Sequence, residues 1–176
     1  MKKHPITAKD MAYSGICAAL LAISAWCAIP MPQVSFTMQS FAVFFALGLL
    51  GGRRGCVSIF IYLLMGAVGL PVFSGFRGGL GVLLGVTGGY IWGFLAAGLI
   101  YWFFTAIFGD KFYVRLGAVA VGMLVCYGCG TAWYLYLYGG SFWAVLAVCV
   151  VPYLIPDAVK LVLAMSLAER LKRIVQ

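Results

Sequence analysis

Asp157 and Lys160 are opposite charges set inside a long apolar stretch, VPYLIPDAVKLVLAMSLAERLKR, spanning residues 151–173. Three residues apart on a helix, they share one face. Ionisable groups at apolar depth are costly, face a protein interior and are usually paired. Two readings follow. The pair can be structural, fixing the helix, or it can line a cavity for a small molecule that offers both N–H donors and an acidic group. Asp157 follows Pro156, so a first-turn position is expected, where free backbone N–H groups and the positive helix end favour a carboxylate.

Two further stretches carry polar groups among apolar ones. GLPVFSGFRGGLG, residues 69–81, holds five glycines, Phe73, Ser74, Gly75 and the single arginine Arg77. It runs on into Thr87, Gly88, Gly89 and Tyr90, where adjacent glycines permit close approach of a ligand or of another helix. Arg77 can clamp a carboxylate or snorkel to the headgroups. The other stretch, PMPQVSFTMQ at residues 30–39, offers Phe36, Thr37 and Gln39 as ligand contacts, or equally as helix caps and interface polarity. With Tyr153, the aromatic residues Phe36, Phe73 and Tyr90 can wall an apolar pocket.

The elements that must position these groups are membrane spans. Of 176 residues, 65% are hydrophobic and 9% charged, against about 25% charged in an ordinary soluble domain. At roughly 20 residues per crossing, the chain has room for six. The expected spans cover residues 12–29, 38–50, 55–68, 83–108, 116–137 and a last one ending near 171. The status of 142–151 is open between a re-entrant piece, an interfacial helix and part of a bent span. The expectation is therefore an all-α integral membrane protein, a compact bundle of six transmembrane helices forming one domain over residues 1–176. With both ends in the cytoplasm, ten of twelve basic residues lie inside: Lys2, Lys3, Lys9, Arg53, Arg54, Lys111, Arg115, Arg170, Lys172 and Arg173. That is the positive-inside bias, so N-in and C-in is the expected orientation. The three polar regions then converge on the outer side, as one pocket open to the outside.

The N-terminal basic and apolar run resembles a signal peptide, but the run is long enough to span and ends at Pro30-Met31-Pro32, a poor cleavage site. An uncleaved first span is expected. Small residues recur in it at packing spacing, Gly15, Ala18, Ala19 and Ala22, suited to internal packing or to a membrane partner. Cys126 and Cys129 form a CxxC within an apolar run, with His4 the one histidine and far away in sequence, so helix packing rather than metal or redox chemistry is expected. The net charge of +8 is accounted for by loop placement, and nucleic acid is not expected. There is no Walker A, HExxH or GxSxG motif, and an enzyme would rest on Asp157 alone.

The run GLPVFSGFRGGLGVLLGVTGGYIWGF at 69–94, PMPQVSFTMQ at 30–39 and PDAVKLVLA at 156–164 resemble the BioY family over nearly the whole chain. These are the biotin-binding S components of energy-coupling factor (ECF) transporters, an ABC-type class. The resemblance implies a multi-pass protein of the bacterial plasma membrane that captures biotin from outside, with no cofactor of its own. It implies partnership with a transmembrane coupling subunit and two cytoplasmic ATPase subunits. By position, Asp157 and Lys160 match the family's polar pair, Phe73 to Gly75 its loop, and Thr87 to Tyr90 its glycine-rich helix start. Gly15, Ala18, Ala19 and Ala22 correspond to the face meeting the coupling subunit. Val86 stands where the family usually has proline. An S component for another vitamin, or a membrane enzyme, is the alternative.

Overall fold

Among the described residues, apolar runs punctuated by glycine and proline fold into eight helices and one short hairpin. The computed structural model describes residues 7–31 and 34–175. Lys2, Lys3, His4, Pro32 and Gln33 lie outside the described residues, as does the side chain of Arg173. In order the elements are α1 Ala8–Trp26, β1 Ala28–Ile29, β2 Phe36–Thr37, α2 Gln39–Leu50, α3 Gly52–Ala67, α4 Leu80–Leu83, α5 Gly88–Phe108, α6 Phe112–Tyr138, α7 Phe142–Cys149 and α8 Val151–Val175. The strands pair antiparallel, Ala28 with Thr37 and Ile29 with Phe36.

Among the described residues, three helices are long and apolar enough to cross a membrane by length and composition: Gly88–Phe108, Phe112–Tyr138 and Val151–Lys172. The expected second and third spans form helices of 12 and 16 residues. At about 1.5 Å per residue these fall short of a ~30 Å hydrocarbon core. The hairpin directly precedes α2, and the loop 68–79 directly follows α3. Irregular backbone at that depth is tolerated where protein buries it.

α2 is apolar all round and correspondingly central, with nine of its twelve residues buried. It packs on α1, α3, α5 and, most extensively, α8, while α5 and α6 form the other major pair. Close crossings are made at glycine. A Cβ on Gly93 would stand 2.9 Å from the Cα of Cys126, so α5 and α6 meet backbone to backbone there.

The α2–α3 turn, the end of α5 and the last part of α8 meet at one end of the bundle, where Gly52 lies on Trp102 and Gly48 on Ala168. Charges collect there. Arg54 bonds Asp10 at 2.9 Å, in the capping box that Asp10 forms with Thr7 at the start of α1. Arg115 pairs with Glu169 and, at 3.6 Å, with Asp110, which also meets Lys172.

Two expectations are corrected. Asp157 is not in a first turn: α8 begins at Val151, with Pro156 inside it. The break falls instead at Val150 (φ −125°, ψ −53°), after α7. Pro152 occupies the first turn, where a missing N–H costs nothing, so the helix-end argument for Asp157 lapses. In α1, Ala18 and Ala22 are buried in the stripe with Ser14, Leu21 and Ala25, facing the bundle's own helices, and only Gly15 and Ala19 face outward. The open segment 142–151 forms α7, which packs on α6 and α8.

Candidate functional site

At the end of the bundle opposite the charge clusters, the hairpin link, the α3–α4 loop, α5, α6, α7 and α8 enclose a partly open cavity. Its space for the centre of a water-sized molecule is about 90 Å³, several times the ~10–15 Å³ that one water requires. A small organic molecule is the scale of occupant it suits.

Asp157 and Lys160 lie on its wall, 7% and 6% exposed, one turn apart on α8. Lys160 Nζ donates to Asp157 Oδ1 at 2.9 Å and to the Thr37 carbonyl at 2.7 Å. It also lies 3.6 Å from the Phe36 ring centroid, a cation–π contact. Asp157 accepts further from Ser40 Oγ at 2.9 Å and from Tyr127 OH at 2.7 Å. A carboxylate offers about four acceptor positions, and three are taken. The ammonium is committed to acceptors on α8 and the hairpin, whereas the carboxylate retains capacity for one more N–H donor, on Oδ2.

The hairpin link is pinned over the cavity from below. Besides Lys160 on Thr37, the Tyr153 hydroxyl donates to the Val34 carbonyl, and Phe36 stacks on Tyr153 at 6.2 Å. Gln39 is turned toward the bundle, its Nε2 donating to Tyr62 OH at 3.0 Å while its own backbone N–H meets Thr37 Oγ1 at 3.3 Å.

The second cover is the turn 73–77, closed by the bridge between Phe73 and Arg77. Phe73 is its anchor, 1% exposed, with its ring where a Cβ on Gly66 would be 2.0 Å away. Gly75 (φ 72°) and Phe76 (φ 56°) make the reversal in left-handed conformation, unusual for an aromatic residue. Phe76 is held there by stacking on Trp26 at 5.0 Å, and Trp26 Nε1 donates to the Pro71 carbonyl at 2.8 Å. Arg77 sits exposed at the rim, its Nε on the Ser74 carbonyl at 3.2 Å.

Of the residues singled out in the sequence, Phe36, Thr37, Gln39, Phe73, Ser74, Arg77, Thr87, Tyr90, Tyr153, Asp157 and Lys160 line this cavity. Gly75 does not; it shapes the turn. Gly88 and Gly89 do not either. They seat the start of α5 against α6, where a Cβ on Gly89 would be 2.3 Å from that of Trp133. Ser40, Tyr127, Cys126 and Cys149 line it without having been singled out as ligand contacts. Ser40 was detectable as a polar neighbour of Gln39 opening an apolar helix. Tyr127 carried no local signal, since only the α6–α8 packing brings it to Asp157. Cys126 is buried as expected of a small hydrophobe, yet its thiol also meets the Tyr90 carbonyl at 3.4 Å.

The fold and site define a helical, multi-pass membrane protein with a cavity for a small polar-ended molecule. The chain belongs to the BioY family, whose model matches residues 1–176. It is 34% identical to the biotin transporter BioY of Thermotoga maritima, covering 94% of this chain and 97% of that protein. It is 37% identical to the probable biotin transporter BioY of Pyrococcus horikoshii, with the same coverage of 94% and 97%. Among solved structures it superposes on the S component for biotin from an ECF-type ABC transporter with TM-score 0.84 and 25% identity, over 94% of this chain and 91% of that one. These relatives are transporters, and the chain is accordingly a transport protein of the plasma membrane, not an enzyme.

Proposed function

We propose that this protein captures biotin from outside the cell and serves as the membrane-embedded substrate-binding component of an ECF-type transporter. The observation that carries the reading is the buried Asp157–Lys160 pair on the cavity wall, with one carboxylate position still vacant. An isolated charge of either sign would be costly here, whereas in the pair the Asp157 carboxyl still has a position able to receive a ureido N–H. The apolar rings of biotin suit the walls of Phe36, Phe73, Tyr90 and Tyr153. Its carboxylate points to the rim, where Arg77 supplies charge, because Lys160 is already committed.

In this reading α1, α2, α3, α5, α6 and α8 cross the membrane with both termini cytoplasmic. Lys9, Arg53, Arg54, Lys111, Arg115, Arg170 and Lys172 then fall on the inner side, with Arg77 outside. The outward residues Gly15 and Ala19 of α1 offer close approach to a transmembrane coupling subunit. ATP hydrolysis is supplied by two separate cytoplasmic subunits, since this chain carries no Walker A motif. Its surroundings otherwise are lipid, and it needs no cofactor.

The test is equilibrium binding of tritiated biotin to the detergent-purified protein, with desthiobiotin and thiamine as competitors. Saturable binding displaced by desthiobiotin but not by thiamine is expected, and Asp157→Asn should weaken it about 30-fold or more, the scale for losing a charge-assisted hydrogen bond. Folded protein that binds no biotin would overturn the assignment.

A further inference from the structure

Two hydroxyls from other helices hold the Asp157 carboxylate, one on each oxygen. Ser40, at the start of α2, donates to Oδ1 at 2.9 Å, and Tyr127 of α6 donates to Oδ2 at 2.7 Å. The two are not equivalent. Oδ1 also receives the Lys160 ammonium at 2.9 Å, whereas Tyr127 is the one side chain bonded to Oδ2 among the described residues. The terminal torsion of an aspartate is broad and roughly two-fold. Anchoring Oδ1 alone therefore leaves the plane of the carboxylate free to swing, and the Tyr127 bond sets it. Oδ2 is also the oxygen with an acceptor position to spare.

Tyr127 is itself held from the α5 side. Its ring packs against both the main core and the small cluster of Tyr90, Val145 and Cys149. One residue earlier, Cys126 lies against Gly93, where a Cβ would stand 2.9 Å from the Cys126 Cα. Three residues later, Gly130 admits the Tyr90 ring, to which a Cβ would come within 2.2 Å. These close approaches fix the rotation and depth of α6 on α5. α6 packs far less on α8 than on α5, so the placing of the phenol at Asp157 is decided by α5 and α6 rather than by α8. Tyr127 lines the cavity beside Asp157.

We propose that Tyr127 is a positioning residue for the bound ligand, its hydroxyl fixing the plane of the Asp157 carboxylate so that the free acceptor position on Oδ2 faces the ureido N–H. The proposal rests on the biotin reading above and names the residue through which α6 governs affinity. A binding group performs well when packing and a supporting hydrogen bond lock its rotamer. Here α8 supplies the carboxylate, and α6 supplies its orientation. The Tyr127 oxygen and Oδ2, 2.7 Å apart, are too close to receive the two N–H groups of a cyclic urea separately, because those diverge from the ring. Tyr127 thus acts through Asp157.

The experiment is a double-mutant cycle on the dissociation constant of tritiated biotin, with Tyr127→Phe, Asp157→Asn and the two combined. In Asp157→Asn the donors Lys160 and Ser40 keep the amide oxygen at the Oδ1 site, which puts the amide NH2 at the Oδ2 site and leaves Tyr127 no acceptor to orient. Tyr127→Phe should weaken biotin about tenfold in the wild-type background, the scale of a hydrogen bond to a charged group, and less than about twofold in the Asp157→Asn background, because the two residues act as a unit. The number of sites filled at saturation is measured for every variant, so affinity is read on folded protein alone. Tyr127→Met, which removes the donor with a side chain of different shape, repeats the cycle, and the same difference between backgrounds is expected. A purely structural role for Tyr127, tying α6 to α8, predicts equal losses in both backgrounds. Equal losses, or unchanged affinity in Tyr127→Phe, would overturn the proposal. Wild-type protein that binds no biotin would instead overturn the biotin reading itself.

Discussion

Lys160 is buried on the cavity wall, where Asp157, the Thr37 carbonyl and the Phe36 ring take up its charge. Removing one member of such a pair strands the other in an apolar wall. Lys160→Met should therefore destabilise the protein by about 3–5 kcal/mol, read as a lowered unfolding midpoint in detergent. The double variant Asp157→Asn with Lys160→Met should recover most of that loss, because no charge remains buried, while still failing to bind biotin. If the double variant were no more stable than the single one, burial of an unpaired carboxylate would not be the cause. At this scale the sequence was informative about residue types and spacing. Asp157 and Lys160 stood out because nothing else in residues 151–168 is charged. Their partners Ser40 and Tyr127, 117 and 30 residues away from Asp157, did not.

Among the elements, two covers close the cavity and both are tied to the end of α1. The Met38 N–H donates to the Cys27 carbonyl at 3.1 Å, fastening the hairpin, and Trp26 fastens the 73–77 turn. Both covers thus hang from the end of α1 through contacts only a few residues long. Trp26→Phe keeps most of the stacking on Phe76 but deletes the hydrogen bond to Pro71. It should speed dissociation of bound biotin by about two- to tenfold, measured by chase with unlabelled ligand. An unchanged off-rate would show that the turn does not limit ligand exit. The helices themselves were largely legible from apolar length and glycine breaks. Misjudged was the start of α8, where Pro156 reads as a boundary yet lies inside a helix whose packing on α2 outweighs the lost hydrogen bond.

Across the whole molecule, charge separates along the bundle. The pairs at Asp10–Arg54 and at Arg115–Glu169–Asp110–Lys172 occupy one end, and the cavity the other. Orientation follows from which end faces the cytoplasm, and it can be read by labelling. In a protein with its six cysteines replaced, Phe76→Cys should react in intact cells with a membrane-impermeant maleimide, and Tyr113→Cys only after lysis. Both positions are exposed, at 65% and 84%, so the contrast reports sidedness rather than burial. The reverse pattern would invert the proposed topology and place the cavity inside.

What the sequence by itself determined is the solvent and the inventory: apolar segments that need lipid, basic residues sorted to alternate links, and a charged pair too deep to be incidental. These follow from composition and one-dimensional spacing, which the hydrophobic effect and the helical period translate directly into structure. Only the tertiary structure decided which small residues of α1 face outward, that Gly88 and Gly89 serve helix packing, and that Ser40 and Tyr127 join the cavity. Those outcomes depend on how the helices cross, and crossing geometry is fixed by side-chain packing between segments distant in the chain. No local pattern encodes it.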